Sequence, residues 1–213
     1  MKTTRSFLAA AVGLALVVPA FQASAEGFTA RIGAANVNPK SDNGRLAGAY
    51  DVEVGSDTSF TLGLAWFATD NIAIDFSTAL AKYEHDLSLT GGATGLPTLR
   101  DANLVGVEHR PTVLQVQYHF APGSQFSPYI GAGYSWTSVD VARNQTGLGV
   151  IAADDADGFA AEGGVDFNFG DSFFARASVQ YLTFETDVTL GGAAIGTVDV
   201  NPWVFGLAAG IRF

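Results

Sequence analysis

Apolar and polar residues alternate one by one through segment after segment of this chain, and the connections between those segments alternate as well, long then short. The last segment shows the first pattern best. Trp203, Phe205, Leu207, Ala209, Ile211 and Phe213 are apolar, while Val204, Gly206, Ala208, Gly210 and Arg212 between them are mostly small, with one charge. A period of two belongs to a strand with two unlike faces, because successive side chains point to opposite sides. The stretches Thr112–Phe120, Phe173–Tyr181 and Ile72–Ser77 repeat the pattern. Phe159–Asn168 follows it less sharply.

Eight strands are predicted, at about 28–37, 59–68, 72–81, 110–120, 127–139, 157–169, 173–186 and 198–213. The connections 38–58, 82–109, 140–156 and 187–197 are long, whereas 69–71, 121–126 and 170–172 are short, in strict alternation. Short turns at one end and long loops at the other are the habit of a transmembrane barrel, and an even strand number returns both termini to the short-turn side. The long loops are rich in Gly, Asp, Asn and Thr and read as solvated turns.

Which face is apolar separates this barrel from a soluble one, whose apolar face points inward. Here one face carries almost no charge, while the other carries Arg31, Asp75, Glu162, Asp166, Arg176 and Arg212. Only 15% of all residues are charged, against about 25% in soluble domains. So few charges make a poor soluble surface and suit a narrow polar interior. Aromatic residues gather at strand ends, with Trp66, Phe120, Phe169, Phe173 and Phe213 on the short-turn side and Tyr134, Trp136 and Trp203 on the other. They form two interfacial girdles. The expected fold class is therefore all-β, an eight-stranded antiparallel transmembrane β-barrel with short periplasmic turns and long extracellular loops.

The first 25 residues have their own design. Lys2 and Arg5 precede an apolar run from Phe7 to Val18, and Ala23-Ser24-Ala25 supplies a small-residue cleavage pattern. These are the three parts of a secretory signal, and the run is shorter than the roughly 17–25 residues a spanning helix needs. The expected organisation is a cleaved signal peptide at 1–25 and a barrel at 26–213. Removing Lys2 and Arg5 from the 11 basic residues leaves nine against 21 acidic ones, a formal charge of −12. That balance excludes a nucleic-acid binder, which displaces counterions from phosphate with a basic face. The absence of cysteine excludes disulfides and thiolate metal sites.

Little in the chain suggests chemistry. His85, His109 and His119 are the three histidines, without an HExxH or any closely spaced ligand set, so no metal and no cofactor is expected. No GxSxG marks a nucleophile, although Ser138, His109 and loop acids could be nominated for a triad; an enzyme is not expected. Asp154, Asp155 and Asp157 lack the spacing of a calcium loop and read as solvated charge.

Several segments resemble the outer membrane protein W (OmpW) family of Gram-negative bacteria: ATDNIAID (68–75), RPTVLQVQYHF (110–120), FSPYIGAGYSW (126–136), GGVDFNF (163–169) and VDVNPWVFGLAAGIRF (198–213). Asp199, Pro202, Trp203, Gly210, Arg212 and Phe213 carry its most specific part. The resemblance runs from Phe28 to Phe213 and thins within the long loops. It implies an outer-membrane location, passage of small, largely hydrophobic molecules, and in some relatives lateral release into the bilayer. It also implies that the terminal Phe213 belongs to a signal read by the barrel-assembly machinery.

Strand parity assigns the interior. Arg31, Asp75, Glu162, Asp166, Arg176 and Arg212 face inward as three acids against three arginines, with Ser77 and Gln180 midway up. Buried charges must be paired or wetted, so this layer reads as ion pairs that fill the barrel. Because the Gly170-Asp171-Ser172 turn is centred on 171, Asp166 and Arg176 should stand opposite each other. Toward the loop end the inward face turns apolar at Val113, Val139, Leu182, Phe184 and Val204, as a funnel for apolar solutes requires. The expected function is a conduit for small hydrophobic molecules, a monomer with outer-membrane lipids around it. The alternative is a structural or adhesion barrel whose extracellular loops bind partners.

Overall fold

A backbone amide in hydrocarbon finds no water, so strands that cross lipid must pair on both edges and close into a ring. The computed structural model describes residues 27–94 and 98–213, so the expected signal segment lies outside the described residues. In chain order the strands are β1 (Phe28–Asn38), β2 (Arg45–Leu46), β3 (Tyr50–Val54), β4 (Asp57–Phe67), β5 (Ile72–Ala79), β6 (Tyr83–Gly91) and β7 (Leu99–His119). There follow β8 (Phe126–Asn144), β9 (Ile151–Ala153), β10 (Ala156–Phe169), β11 (Phe173–Leu182), β12 (Glu185–Leu190), β13 (Ala193–Asp199) and β14 (Trp203–Arg212). Eight of them close the barrel, each antiparallel to the next: β1, β4, β5, β7, β8, β10, β11, β14 and back to β1. At the seam Phe28 and Phe213 exchange backbone hydrogen bonds of 2.8 and 2.9 Å.

The outer face is a belt of exposed apolar side chains, including Ile32, Phe60, Val116, Ile130, Phe159 and Leu207. A belt of this kind suits lipid and would be costly in water. Its extracellular limit is marked by outward charges. Lys82 donates to Glu108 at 3.0 Å and to Asp140 at 2.7 Å, and Arg143 reaches Asp86 at 2.5 Å. The connections at 68–71, 120–125 and 170–172 are tight, as expected.

The long connections differ from the expectation. They are largely strand, not solvated turns. β7 and β8 run on past the lipid belt, and β6 pairs with the outer half of β7. β2 and β3 add to β6, while β9, β12 and β13 form a second small sheet. Among the described residues there are therefore fourteen strands, and the predicted strands 173–186 and 198–213 each divide in two. The physical reason lies in the hidden alternation of these segments. Tyr83, His85, Leu87 and Leu89 are buried, with Glu84, Asp86 and Ser88 between them. Together the extra strands raise a walled extension above the membrane.

Asn43 joins the two halves of that extension. Fully buried, it accepts the Val54 amide at 2.9 Å through its side-chain oxygen and donates through its amide nitrogen to the Asp199 carbonyl at 2.8 Å.

Candidate functional site

The lumen is stacked in tiers. In the half toward the short turns, Arg176 gives Asp166 two hydrogen bonds, 2.6 and 2.8 Å, across the rung where the two residues are register partners. The Arg176 guanidinium lies 4.2 Å from the centre of the Tyr129 ring and 4.0 Å from Asp75. Arg31 forks onto Asp75, with Nη2 2.9 Å from Oδ1. Asp75, Asp166 and Arg176 are buried, and the Arg31 side chain nearly so. Such charges persist out of water only when each is matched in place.

The expected match of three arginines to three acids is corrected at its edges. Glu162 has no arginine partner among the described residues. It sits one rung group higher than Asp166 and accepts instead from Gln115 at 2.9 Å, Gln180 at 3.0 Å and the Tyr129 hydroxyl. Arg212, far down β14 opposite Thr29, donates to Asn168 at 3.1 Å and lies over Phe174. Strand parity gives a side chain its face but not its height, and height decides who meets whom.

Above this layer is a cavity of about 80 Å³ bordered by Arg31, Ser77, Glu162, Gln180 and Leu182. Its wall on the loop side is an apolar cluster built from Val37, Tyr83, Val113, Leu182 and Val204. A second, larger cluster fills the extension and includes Val139 and Phe184. The five residues of the predicted apolar funnel are thus all buried and divide between two levels. Within the upper cluster lies a chamber of about 50 Å³ whose walls are almost wholly aliphatic, among them Leu87, Leu89, Val105, Val141 and Val188.

Sequence reading passed over three contributors to these tiers. Gln115 and Gln117 are fully buried, and both lie on the inward face of an alternation plain in the sequence. Tyr129, the aromatic of the polar layer, follows the same parity on β8. The third contributor is the meeting of His85 and His109. Their separation in sequence says nothing, but antiparallel β6 and β7 bring Nε2 of one within 2.7 Å of Nε2 of the other. His85 Nδ1 is 2.5 Å from the Gly55 carbonyl. Tyr83 stacks on His109 at 5.2 Å, and Phe184 covers it at 5.6 Å. His109 lies between Glu108 and Arg110, level with the outward charges and so above the lipid. Burial, then the neighbouring His85, push the His109 imidazole down to about 3. Burial lowers His85 too, opposed by its bond to Gly55 and by Asp57 and Asp86. Both rings are neutral at ordinary pH.

The acidic run is bonded to strand β8: Asp155 accepts the Val139 amide at 2.9 Å and Asp157 accepts the Tyr134 side-chain hydroxyl.

The sequence profile of the OmpW family matches residues 25–213. The chain belongs to the OmpW family. It is 35% identical to outer membrane protein W of Vibrio cholerae serotype O1 over the whole of both chains. It is 32% identical to outer membrane protein W of Escherichia coli K12, covering 96% of this chain and 97% of that one. The crystal structure of the outer membrane protein OprG from Pseudomonas aeruginosa superposes with a TM-score of 0.72 at 26% identity, over 89% of this chain and 96% of that one. Membership fixes the setting: the barrel is an outer-membrane protein with lipid around its apolar belt.

Proposed function

We propose that the barrel is a conduit for small, mainly hydrophobic molecules, which enter the apolar chamber from outside and leave sideways into the bilayer above the polar layer. The observation that carries this reading is the order of the tiers. An aliphatic chamber lies over an apolar neck of Val113, Leu182 and Val204, and both lie over a charged, hydrogen-bonded floor. Moving an apolar solute from water into such a chamber is favourable by about 25 cal/mol per Å². Going on through the floor would strip bonded partners from Arg31, Asp75, Glu162, Asp166 and Arg176 and give nothing in return. The wall offers a weaker place above that floor. Pro111 brings no amide to its ladder, and at the loop end of the β10–β11 ladder one backbone bond of the rung is replaced: the Thr183 amide still donates to the Phe159 carbonyl at 2.9 Å, but the Phe159 amide goes to the Thr183 hydroxyl at 2.7 Å. Leu62 and the lipid-exposed Leu207 border the lower cavity from the wall.

The same tiers count against a barrel that merely displays adhesive loops, since the long connections are used up as chamber walls. Lipid, the solute and the assembly machinery are the partners this reading needs, and a monomer suffices.

The test is uptake of an apolar fluorescent probe by vesicles containing the protein, beside uptake of a hydrophilic sugar. The parent should admit the probe and exclude large hydrophilic solutes. Leu182→Asp with Phe184→Asp should cut probe uptake at least tenfold while the barrel still folds. A folded double variant that transports at the parental rate removes the chamber and neck from the path.

A further inference from the structure

Arg110 is a cation without a counter-ion. The other basic residues of the extension whose side chains are described each hold an acid: Lys40 holds Asp199, Arg45 holds Asp51, Lys82 holds Glu108 and Asp140, and Arg143 holds Asp86. The Arg110 side chain is exposed and makes no ion pair, hydrogen bond or ring contact among the described residues. Its place on the wall gives that charge a meaning. The outward side chains of β7 run upward as Tyr118, Val116 and Leu114, all exposed and apolar, then Thr112, Arg110 and Glu108. Arg110 therefore stands roughly 13 Å along a tilted stave beyond Leu114, or about 10 Å higher. On β8, Trp136 faces Thr112 and packs against Tyr134, so the aromatic girdle lies one outward step below Arg110. One outward step above, Glu108 and Asp140 face each other across the rung and share Lys82. Between girdle and acids is the level of the lipid headgroups. Two further groups flank Arg110 there. The exposed Ser138 is its register partner on β8, and Lys82, one step past the Tyr83–His109 pair, comes beside it from β6.

We infer that Arg110, with the Ser138 hydroxyl, binds the phosphate monoester of a phosphorylated glycolipid in the outer leaflet. A guanidinium offers two parallel N–H donors to two phosphate oxygens. A monoester keeps a third oxygen for the Ser138 hydroxyl, and Lys82 adds a second positive charge nearby. A lipid is favoured over a free anion by its route. Residues 39–57, 81–110, 138–157 and 183–202 carry 15 acidic and six basic residues, so an anion arriving from water meets a formal charge of −9. A lipid reaches Arg110 in the plane of the membrane, below most of that field, with its acyl chains against Leu114 and Val116. The glycolipid would then be held at the foot of the extension, on the β7–β8 side of the barrel.

The test offers the full chain, purified in detergent micelles, two probes: lipid A bearing its phosphates, and lipid A stripped of them. Native mass spectrometry counts the bound copies for the parent, Arg110→Gln, Arg110→Lys and Arg45→Gln, with EDTA present throughout. The parent should prefer the phosphorylated form. Arg110→Gln should lower its affinity for that form ~3–10-fold, the worth of one basic residue at a charged lipid surface, and leave the stripped form unaffected. Arg110→Lys, which keeps the charge without the fork, should fall between. Arg45→Gln removes the same charge beyond the headgroups and should change nothing. In the parent, the Arg110 Nε resonance should move with phosphorylated lipid A and stay fixed with the stripped form. Equal binding of the two probes by the parent overturns the inference, as does an equal loss in Arg110→Gln and Arg45→Gln, which would report net charge alone. Displacement of the lipid by excess inorganic phosphate would make a free anion the occupant and overturns it too. If Arg110→Gln does not fold, the parent's Arg110 resonance decides.

Discussion

Arg176 stands directly across the β10–β11 rung from Asp166 and holds both of its carboxylate oxygens, with Asp75 close on its other side. Replacing Arg176 by Leu would leave two carboxylates buried beside a hydrocarbon side chain. The expected loss is about 3–5 kcal/mol, the usual cost of breaking a buried pair from one side. Leu at both 166 and 176 should cost less than Leu at 176 alone, because one orphaned charge is then gone. Urea unfolding in detergent micelles, followed by tryptophan fluorescence, measures both. A loss under 1 kcal/mol for Arg176→Leu would mean that water already shares the pair.

The closing rung makes a second prediction. Phe213 exchanges two backbone bonds with Phe28, and the rings lie 6.2 Å apart. Deleting Phe213 removes the last link of the β1–β14 seam and, on the family resemblance, part of the signal for barrel assembly. Outer-membrane yield of the heat-modifiable folded form should fall severalfold. Restoring the position with Tyr or Trp should recover more than Ala does. Undiminished folded protein in the deletion strain would show that assembly does not depend on this residue.

The barrel was readable because lipid and lumen impose a two-residue period on every stave, and the eight-strand closure follows from that period with the alternation of short and long connections. The extension was not read, although the same period runs through Tyr83–Leu89. There the outward partners are Glu84 and Asp86 instead of lipid-facing apolar groups, so the segment looks like a polar loop when judged by overall hydropathy. The ion-pair layer was readable to the level of which face each residue takes. Arg212 and Glu162 were mismatched because tilt and register set height along the axis, and only the three-residue turns at 69–71 and 170–172 are short enough to fix a register from sequence. The His85–His109 contact depends on β6 pairing with β7 through a long connection, which no local signal announces.

Asn43 is another residue whose role comes only from the fold. Its side chain bridges β3 and the end of β13, and it is fully buried. Asn43→Ala should leave the Val54 amide and the Asp199 carbonyl without partners, at about 1–3 kcal/mol each where they stay buried. The cost should be local. Amide exchange in 43–54 and 193–199 should quicken tenfold or more while exchange in 203–212 stays unchanged. Uniform quickening across the barrel would mean that the extension and the membrane part unfold as one unit.

The histidine pair makes the extension sensitive to acid, in a direction fixed by its shifts. His109 is lowered to about 3 in the folded protein, from 6.5 when free, by burial and then by His85. Between those values the unfolded extension binds a proton that the folded one refuses, so stability falls as pH falls. The stability is complete above about 6.5 and is lost progressively toward 3, with a limiting slope of about 1.4 kcal/mol per pH unit for the one group. His85 adds in the same direction, less steeply because Asp57, Asp86 and the Gly55 carbonyl favour its charged form. Surface pairs such as Lys82 with Glu108 and Asp140 also weaken in acid, so the informative quantity is the difference between parent and His109→Phe. Local opening of 83–91, followed by amide exchange with intrinsic rates corrected for pH, should grow from pH 6.5 to 4.5 by one to two orders of magnitude more in the parent than in His109→Phe. Parallel profiles for the two proteins would show that the pair escapes its burial without opening the chamber.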